Sequence, residues 1–195
     1  MPVRGQQAKS DVLVLCRIVN DQRFVGDEMS LITSMVSSKS NEWATPKRLY
    51  KYLNEHFCNF TLDPCSTHEN KKCEKHYTIE DDGLTKSWAG ERVFVNPPYG
   101  GHTRKWIQKA IDETRKGKCD LVVMLIVSST DRSYWHDLIC KEANEIWFLR
   151  GRCKFNESKS TAPFASAIVI FKPDAFRTIN NKAIVKFVDL REHHQ

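Results

Sequence analysis

Four residues near the middle of the chain, Asn96-Pro97-Pro98-Tyr99, combine types that can do chemistry on an aromatic amino group. Such a nitrogen is a poor nucleophile because its lone pair is delocalised into the ring. Two acceptors that take both of its hydrogens favour a more tetrahedral nitrogen and free the lone pair. The Asn96 side-chain oxygen can be one acceptor. The Pro97 carbonyl can be the other, since proline carries a carbonyl and no amide hydrogen. The Tyr99 ring can stack on the base that bears the amino group. Pro97 and Pro98 cannot extend a sheet, and each restricts the residue before it, so the tetrapeptide forms a stiff, extended corner.

Such a corner must be carried on something rigid. Val93 to Val95 is short, β-branched and aromatic, and reads as a buried strand ending at Asn96. Open α/β sheets place their ligands beyond the carboxyl ends of such strands. Upstream, Phe60 to Asp63 reads as a shorter strand ending in an acid, with Pro64-Cys65-Ser66 as a tight turn. His76 to Ile79 reads as another, followed by Glu80, Asp81 and Asp82. Acids there grip ribose hydroxyls in related folds, or simply form a solvated loop. Leu84 and Trp88 are expected beneath the site.

The remaining elements follow from periodicity. Thr45 suits an N-cap and Pro46 a first helical position, and Leu49, Tyr50, Leu53 and Phe57 recur at helical spacing, so a helix is expected over 46–57. A second amphipathic helix is expected over 103–116, with Trp106, Ile107, Ala110 and Ile111 inward. Leu121 to Val127 is the best candidate for a central strand. A strand-end loop and helix start follow to Trp135, with Asp131 or Ser133 as caps. Asn144 to Leu149 and Phe164 to Phe171 read as strands joined by a hairpin arm, and Ala183 to Val188 as a last one. The alternation predicts an α/β sheet, mostly parallel, with antiparallel strands at the C-terminal edge.

The chain has 195 residues, 41% hydrophobic and 28% charged, which fits one globular domain and excludes a disordered tail. That domain is expected over 41–190. Residues 1–40 form a poorly defined lead-in, and Met29 is a candidate native start with 1–28 as an upstream extension. The formal charge of +6 favours a polyanionic partner, although no Lys- or Arg-rich block is present. The longest apolar stretch, Leu121 to Val127, is too short to span a bilayer, and the first residues lack an apolar signal core. A cytoplasmic protein without a membrane partner is expected. The seven cysteines are an odd number without the spacing of a disulfide framework, which fits a reducing compartment. Cys65, His68, Cys73 and His76 can supply four zinc ligands or fall together by chance in a loop. Their spacing matches no zinc module, so no metal is expected.

From Trp43-Ala44-Thr45-Pro46 to the Ser166–Phe171 strand, the chain resembles a family of small phage and prophage DNA adenine methyltransferases. Between those ends the resemblance rests on Leu62-Asp63-Pro64-Cys65, Asn70 with Cys73 and Tyr77, and Asp82-Gly83-Leu84 with Trp88. It continues through Asn96-Pro97-Pro98-Tyr99 and Gly151-Arg152 with Phe155. It implies a Rossmann-like fold, S-adenosylmethionine as cofactor and methylation of the adenine exocyclic amino group in double-stranded DNA. Asp63, Pro64 and Cys65 would form the first cofactor-binding turn. Trp43 and Thr45 would close over the methionine end, and Asp82 or Glu80 would face the adenosine. Asn96 to Tyr99 would be the catalytic corner and Phe155 a second stacking ring.

Residues 64–76 lack the glycines that such enzymes carry after the first strand. No large separate target-recognition domain is expected within these residues, so sequence choice is expected from loops such as 100–105, 128–135 and 152–163. No obligate protein partner is evident, and a phage-encoded enzyme would work in the host cytoplasm. Two other readings stand beside this one. The same tetrapeptide occurs in methyltransferases of RNA bases and of a protein glutamine. A non-catalytic nucleic-acid-binding module with zinc would bind metal and have no affinity for S-adenosylmethionine.

Overall fold

The structure, a computed structural model, describes residues 43–155, 161–176 and 182–189. The lead-in over 1–40 and most of the polar loop 156–163 lie outside these residues. Helix α1 spans Lys47–His56 and α2 spans Thr103–Arg115. A π-helical turn, Trp135–Ile139, runs into the short α3, Cys140–Glu142. The strands are β1 (Leu62–Asp63), β2 (Lys75–His76), β3 (Arg92–Val95), β4 (Leu121–Val127), β5 (Glu145–Leu149), β6 (Ser166–Phe171) and β7 (Ile184–Val188). No helix among the described residues is long and apolar enough to cross a membrane.

The strands form one sheet in the order β2-β1-β3-β4-β6-β5-β7. β2, β1, β3 and β4 are mutually parallel. β6 runs antiparallel to both β4 and β5, and β7 lies parallel to β5. The sheet is therefore mostly parallel, and its antiparallel element comes from the C-terminal part of the chain. That element sits two strands in from the edge. β6 is inserted between β4 and β5, and β7 forms the edge.

The central strands are apolar on both faces because both faces are covered. Val93 and Val95 of β3, with Val122, Met124 and Ile126 of β4, pack on α2 through Trp106, Ile107, Ala110 and Ile111. Phe94, Val123 and Leu125 point the other way, onto Leu49 and Leu53 of α1. The period-two alternation of the strands thus serves two cores. Each fully buried Leu or Ile side chain there contributes about 1.5–3 kcal/mol.

Two cap expectations are corrected. α1 begins at Lys47 after Pro46 and has no side-chain cap. Thr45 is instead buried, beside a cleft described below. The π turn also opens without a side-chain cap, so neither Asp131 nor Ser133 has that role.

At the far edge, Glu145 accepts bonds from Lys186, Lys172 and the Trp147 indole. Burial opposes its charge, but those donors outweigh it and hold its carboxyl down to about 2. This network pins β5 to β6 and β7.

Candidate active site

Beyond the carboxyl ends of β1 and β3 lies a cleft of about 450 Å³. The chain passes from β1 outward to β2 and then back to β3 on the other side of β1, so this is where the strand order reverses. Ligands of open α/β sheets sit at such a switch point. Trp43, Thr45, Asp63, Pro64, Cys65, Glu80 and Asp82 all border the cleft, together with Asn96, Pro97 and Pro98. Tyr99 does not border it, and neither does Phe155.

Asn96 is held in one orientation. Its Nδ2 donates to the Trp43 carbonyl at 2.6 Å. A carbonyl can only accept, so the nitrogen must face Trp43 and the oxygen must face away. That oxygen, Oδ1, is buried and has no partner. A buried unpaired acceptor costs on the order of 1–3 kcal/mol, and it persists here because the Trp43 contact fixes the amide. The Asn96 backbone N–H lies near the Cys65 sulfur and favours its thiolate slightly. The Cys65 thiol is pushed well up by burial first and by the Asp63 charge second, so it is a neutral wall group and not a thiolate nucleophile.

Asp63 shapes that turn. Its Oδ2 accepts from the Lys72 backbone N–H at 3.0 Å and its Oδ1 from that of Cys65 at 3.4 Å. It is 4% exposed, and burial raises its carboxyl above the usual range against the lowering effect of these donors. Of the three acids after β2, Glu80 and Asp82 border the cleft. Asp81 instead accepts from the Thr78 N–H and hydroxyl at 2.9 and 3.1 Å. Asp82 adopts a left-handed φ of 53°, and its carbonyl accepts from the Thr85 N–H at 2.9 Å.

On the other side of Asn96 lies an aromatic group from three segments. Trp43 meets Phe155 and Phe164 edge-on at 5.5 and 5.2 Å. Tyr99 meets Phe164 at 5.2 Å and Phe155 at 6.2 Å. Tyr99 is half-buried, its hydroxyl has no partner, and burial raises that hydroxyl's pKa. Phe155 is 2% exposed. In this arrangement it packs against Trp43 and Tyr99. Phe164 is half-buried against the same two rings.

The family model of DNA N-6-adenine-methyltransferase (Dam) matches residues 32–193. The chain belongs to the DNA N-6-adenine-methyltransferase family. It is 29% identical over 122 residues to the DNA N-6-adenine-methyltransferase of Haemophilus phage HP1, covering 61% of this chain and 69% of that one. It is 26% identical over 133 residues to the protein of the same name from Escherichia phage T1, covering 68% of this chain and 52% of that one.

With the family in hand, the missing glycine has a location. A Cβ on Gly83 would stand 1.9 Å from the Pro64 carbonyl oxygen and 3.2 Å from the Trp106 ring. The close approach at the first turn is therefore made by a glycine from the segment after β2. The Trp88 indole donates to the Gly83 carbonyl at 3.0 Å, and its ring stacks on Trp106 at 6.2 Å, so Trp88 does lie beneath the site. Leu84 packs against the same core. Gly83 and Phe164 are two residues near the site whose part there the sequence reading did not assign. The Asp82-Gly83 pair was the available signal for the first.

The four candidate zinc ligands do not converge. Cys73 lies 3.5 Å from the Tyr50 hydroxyl, while His68 and His76 bond to each other at 2.9 Å. Among the described residues, no group of three or more His, Cys, Asp or Glu side chains can share a metal ion.

Proposed function

We propose that this chain transfers a methyl group from S-adenosylmethionine to the exocyclic amino group of adenine in double-stranded DNA. The observation that carries this reading is the Asn96 amide, with its nitrogen committed to Trp43 and its oxygen buried and unpaired at the rim of the cleft. The cleft fits the cofactor in size and in charge. Pockets for ligands of that size run from roughly 300 to 1,000 Å³. Asp63, Glu80 and Asp82 supply negative charge on its walls, which suits a cationic sulfonium.

The bound cofactor supplies an electrophilic methyl group on a sulfonium sulfur. The chain supplies position. An adenine inside a duplex is out of reach and must be swung from the stack at a cost of a few kcal/mol. Stacking on Tyr99 offsets roughly 1–3 kcal/mol of that. Asn96 Oδ1 and the Pro97 carbonyl accept the two amino hydrogens, aim the lone pair and hold the nitrogen in line. Such positioning accounts for much of the rate gain. The amino nitrogen, so held, would accept that methyl group, and its extra proton would pass to water. Asp63 orders the first turn through the Cys65 and Lys72 amides, and its carboxylate would hold the cofactor's ammonium group or order a water near it. A DNA substrate puts the work in the cytoplasm of the cell that carries the gene.

A panel of acceptors tests this. Labelled S-adenosylmethionine is offered with unmethylated duplex DNA, RNA and protein. Label is expected in duplex DNA. Transfer to RNA or protein alone would overturn the choice of substrate.

A further inference from the structure

We propose that Lys105, Arg132, Arg152 and Lys154 form a phosphate-gripping rim that holds the duplex backbone on the β3, β4 and β5 side of the Asn96 corner. The proposal rests on the reading that duplex DNA is the substrate, and it says where and with which side chains the DNA is held.

The observation is a division among the cations. Elsewhere in the described structure many cations are matched to acids, while the exposed Lys86 and Lys116, which lie away from the Asn96 corner, are not. Lys75 pairs with Glu91 at 2.6 Å, Lys109 with Glu113 at 2.8 Å, Arg104 with Asp137 at 3.1 Å and Arg150 with Asp189 at 3.0 Å. Lys105, Arg132, Arg152 and Lys154 are exposed, and none forms an ion pair among the described residues. A paired cation must give up its acid to meet a phosphate. An unpaired one exchanges only water and counterions, and counterion release favours the contact.

The four residues also share one end of the sheet. Lys105 is in the first turn of α2, which follows β3. Arg132 is in the loop after β4, and Arg152 and Lys154 are in the arm after β5. β3, β4 and β5 all point the same way, so these segments leave the sheet at the end that carries Asn96. Contacts join the three segments. Arg104 reaches Asp137 and the Ser133 hydroxyl across the first two. The Ser128 N–H donates to the Ala165 carbonyl at 2.9 Å, and Tyr99 packs on Phe164. On the other side of the corner the exposed acids Glu69, Glu80, Asp81 and Asp82 gather at the β1 and β2 ends. They repel phosphates. The duplex is thus confined to the β3, β4 and β5 side of Asn96, while the cofactor lies on the β1 and β2 side.

The test is binding of the full chain to a labelled unmethylated duplex, read by fluorescence anisotropy across a series of salt concentrations. Each phosphate contact contributes about −0.9 to the slope of log affinity against log salt. Changing each of the four residues singly to Gln is expected to flatten the slope by about 0.9, and changing all four by about 3 to 4. Lys116→Gln, at the opposite end of α2, is expected to leave it unchanged. Calorimetry with S-adenosylmethionine is expected to give wild-type affinity for the fourfold variant. A fourfold variant that keeps the wild-type slope, together with cofactor binding, overturns the rim. If the fourfold variant loses cofactor binding, the single variants decide, and four unchanged slopes overturn the rim equally. A wild-type chain that binds the cofactor but not the duplex overturns the substrate reading, and the rim with it.

Discussion

The two sides of Asn96 are built in opposite ways. On the cofactor side, short strands end in turns held by acids that accept backbone amides, as Asp63 does from Lys72 and Asp81 from Thr78. On the base side, rings from three segments pack edge-on, and the surrounding loops carry unmatched cations. One side is polar, fixed by hydrogen bonds and negative at its rim. The other is apolar at its centre and positive at its rim. The difference matches two ligands of opposite charge, a small cation and a polyanion, that must meet at one nitrogen. Asn96 belongs to both sides, since it borders the cleft with Cys65 and its side chain binds the Trp43 carbonyl.

If the division is real, changes on one side should spare the other. Asn96→Ala is expected to have the largest effect. It should lower single-turnover methyl transfer by at least about 10²-fold, in the range for loss of one oriented polar group at a reacting centre. Calorimetry should show cofactor affinity within a few-fold of wild type. Gly83→Ala comes next. Its new Cβ would collide with the Pro64 carbonyl. Overpacking of this kind costs about 1–3 kcal/mol, so cofactor affinity should fall by roughly tenfold or more while base stacking is spared.

The third prediction concerns pH. The Asp63 carboxyl is raised in the fold by burial, so in the free protein charging it opposes stability. That penalty enters as pH rises from the unfolded carboxylate range through the raised folded value. A cationic ligand favours the charged form, so cofactor affinity should climb with pH through the same window, by up to about tenfold per unit. Titration calorimetry at stepped pH would show it, and Asp63→Asn should flatten the dependence. A rise of affinity on acidification would break the charge half of the comparison.

Tyr99→Phe should do least. The hydroxyl it removes is buried and unpaired. Activity should stay within a few-fold, and thermal unfolding should report equal or higher stability, by about 1 kcal/mol. A large loss of activity would mean that the hydroxyl, and not the ring, meets the base.

Local sequence carried the corner well. Two prolines after a β-branched run define its shape without help from distant residues, and acids at strand ends mark the cleft wall. What stayed hidden depends on contacts between segments. Gly83 matters because of Pro64, across the turn and β2, which periodicity cannot reveal. Phe155 and Phe164 look alike in sequence, and only the path of the arm leaves the first buried at 2% and the second half-buried. The place of β6 inside the sheet follows from pairing with β4, Val122 with Phe171 through Val127 with Ser166. An apolar run alone does not specify that partner.

The most direct test of the account is the chemical position of the transferred methyl group. Unmethylated duplex DNA is treated with the chain and labelled S-adenosylmethionine, digested to nucleosides and separated. The account predicts label in N6-methyl-2′-deoxyadenosine. Label in a methylated cytosine, or none in DNA despite bound cofactor, would contradict it.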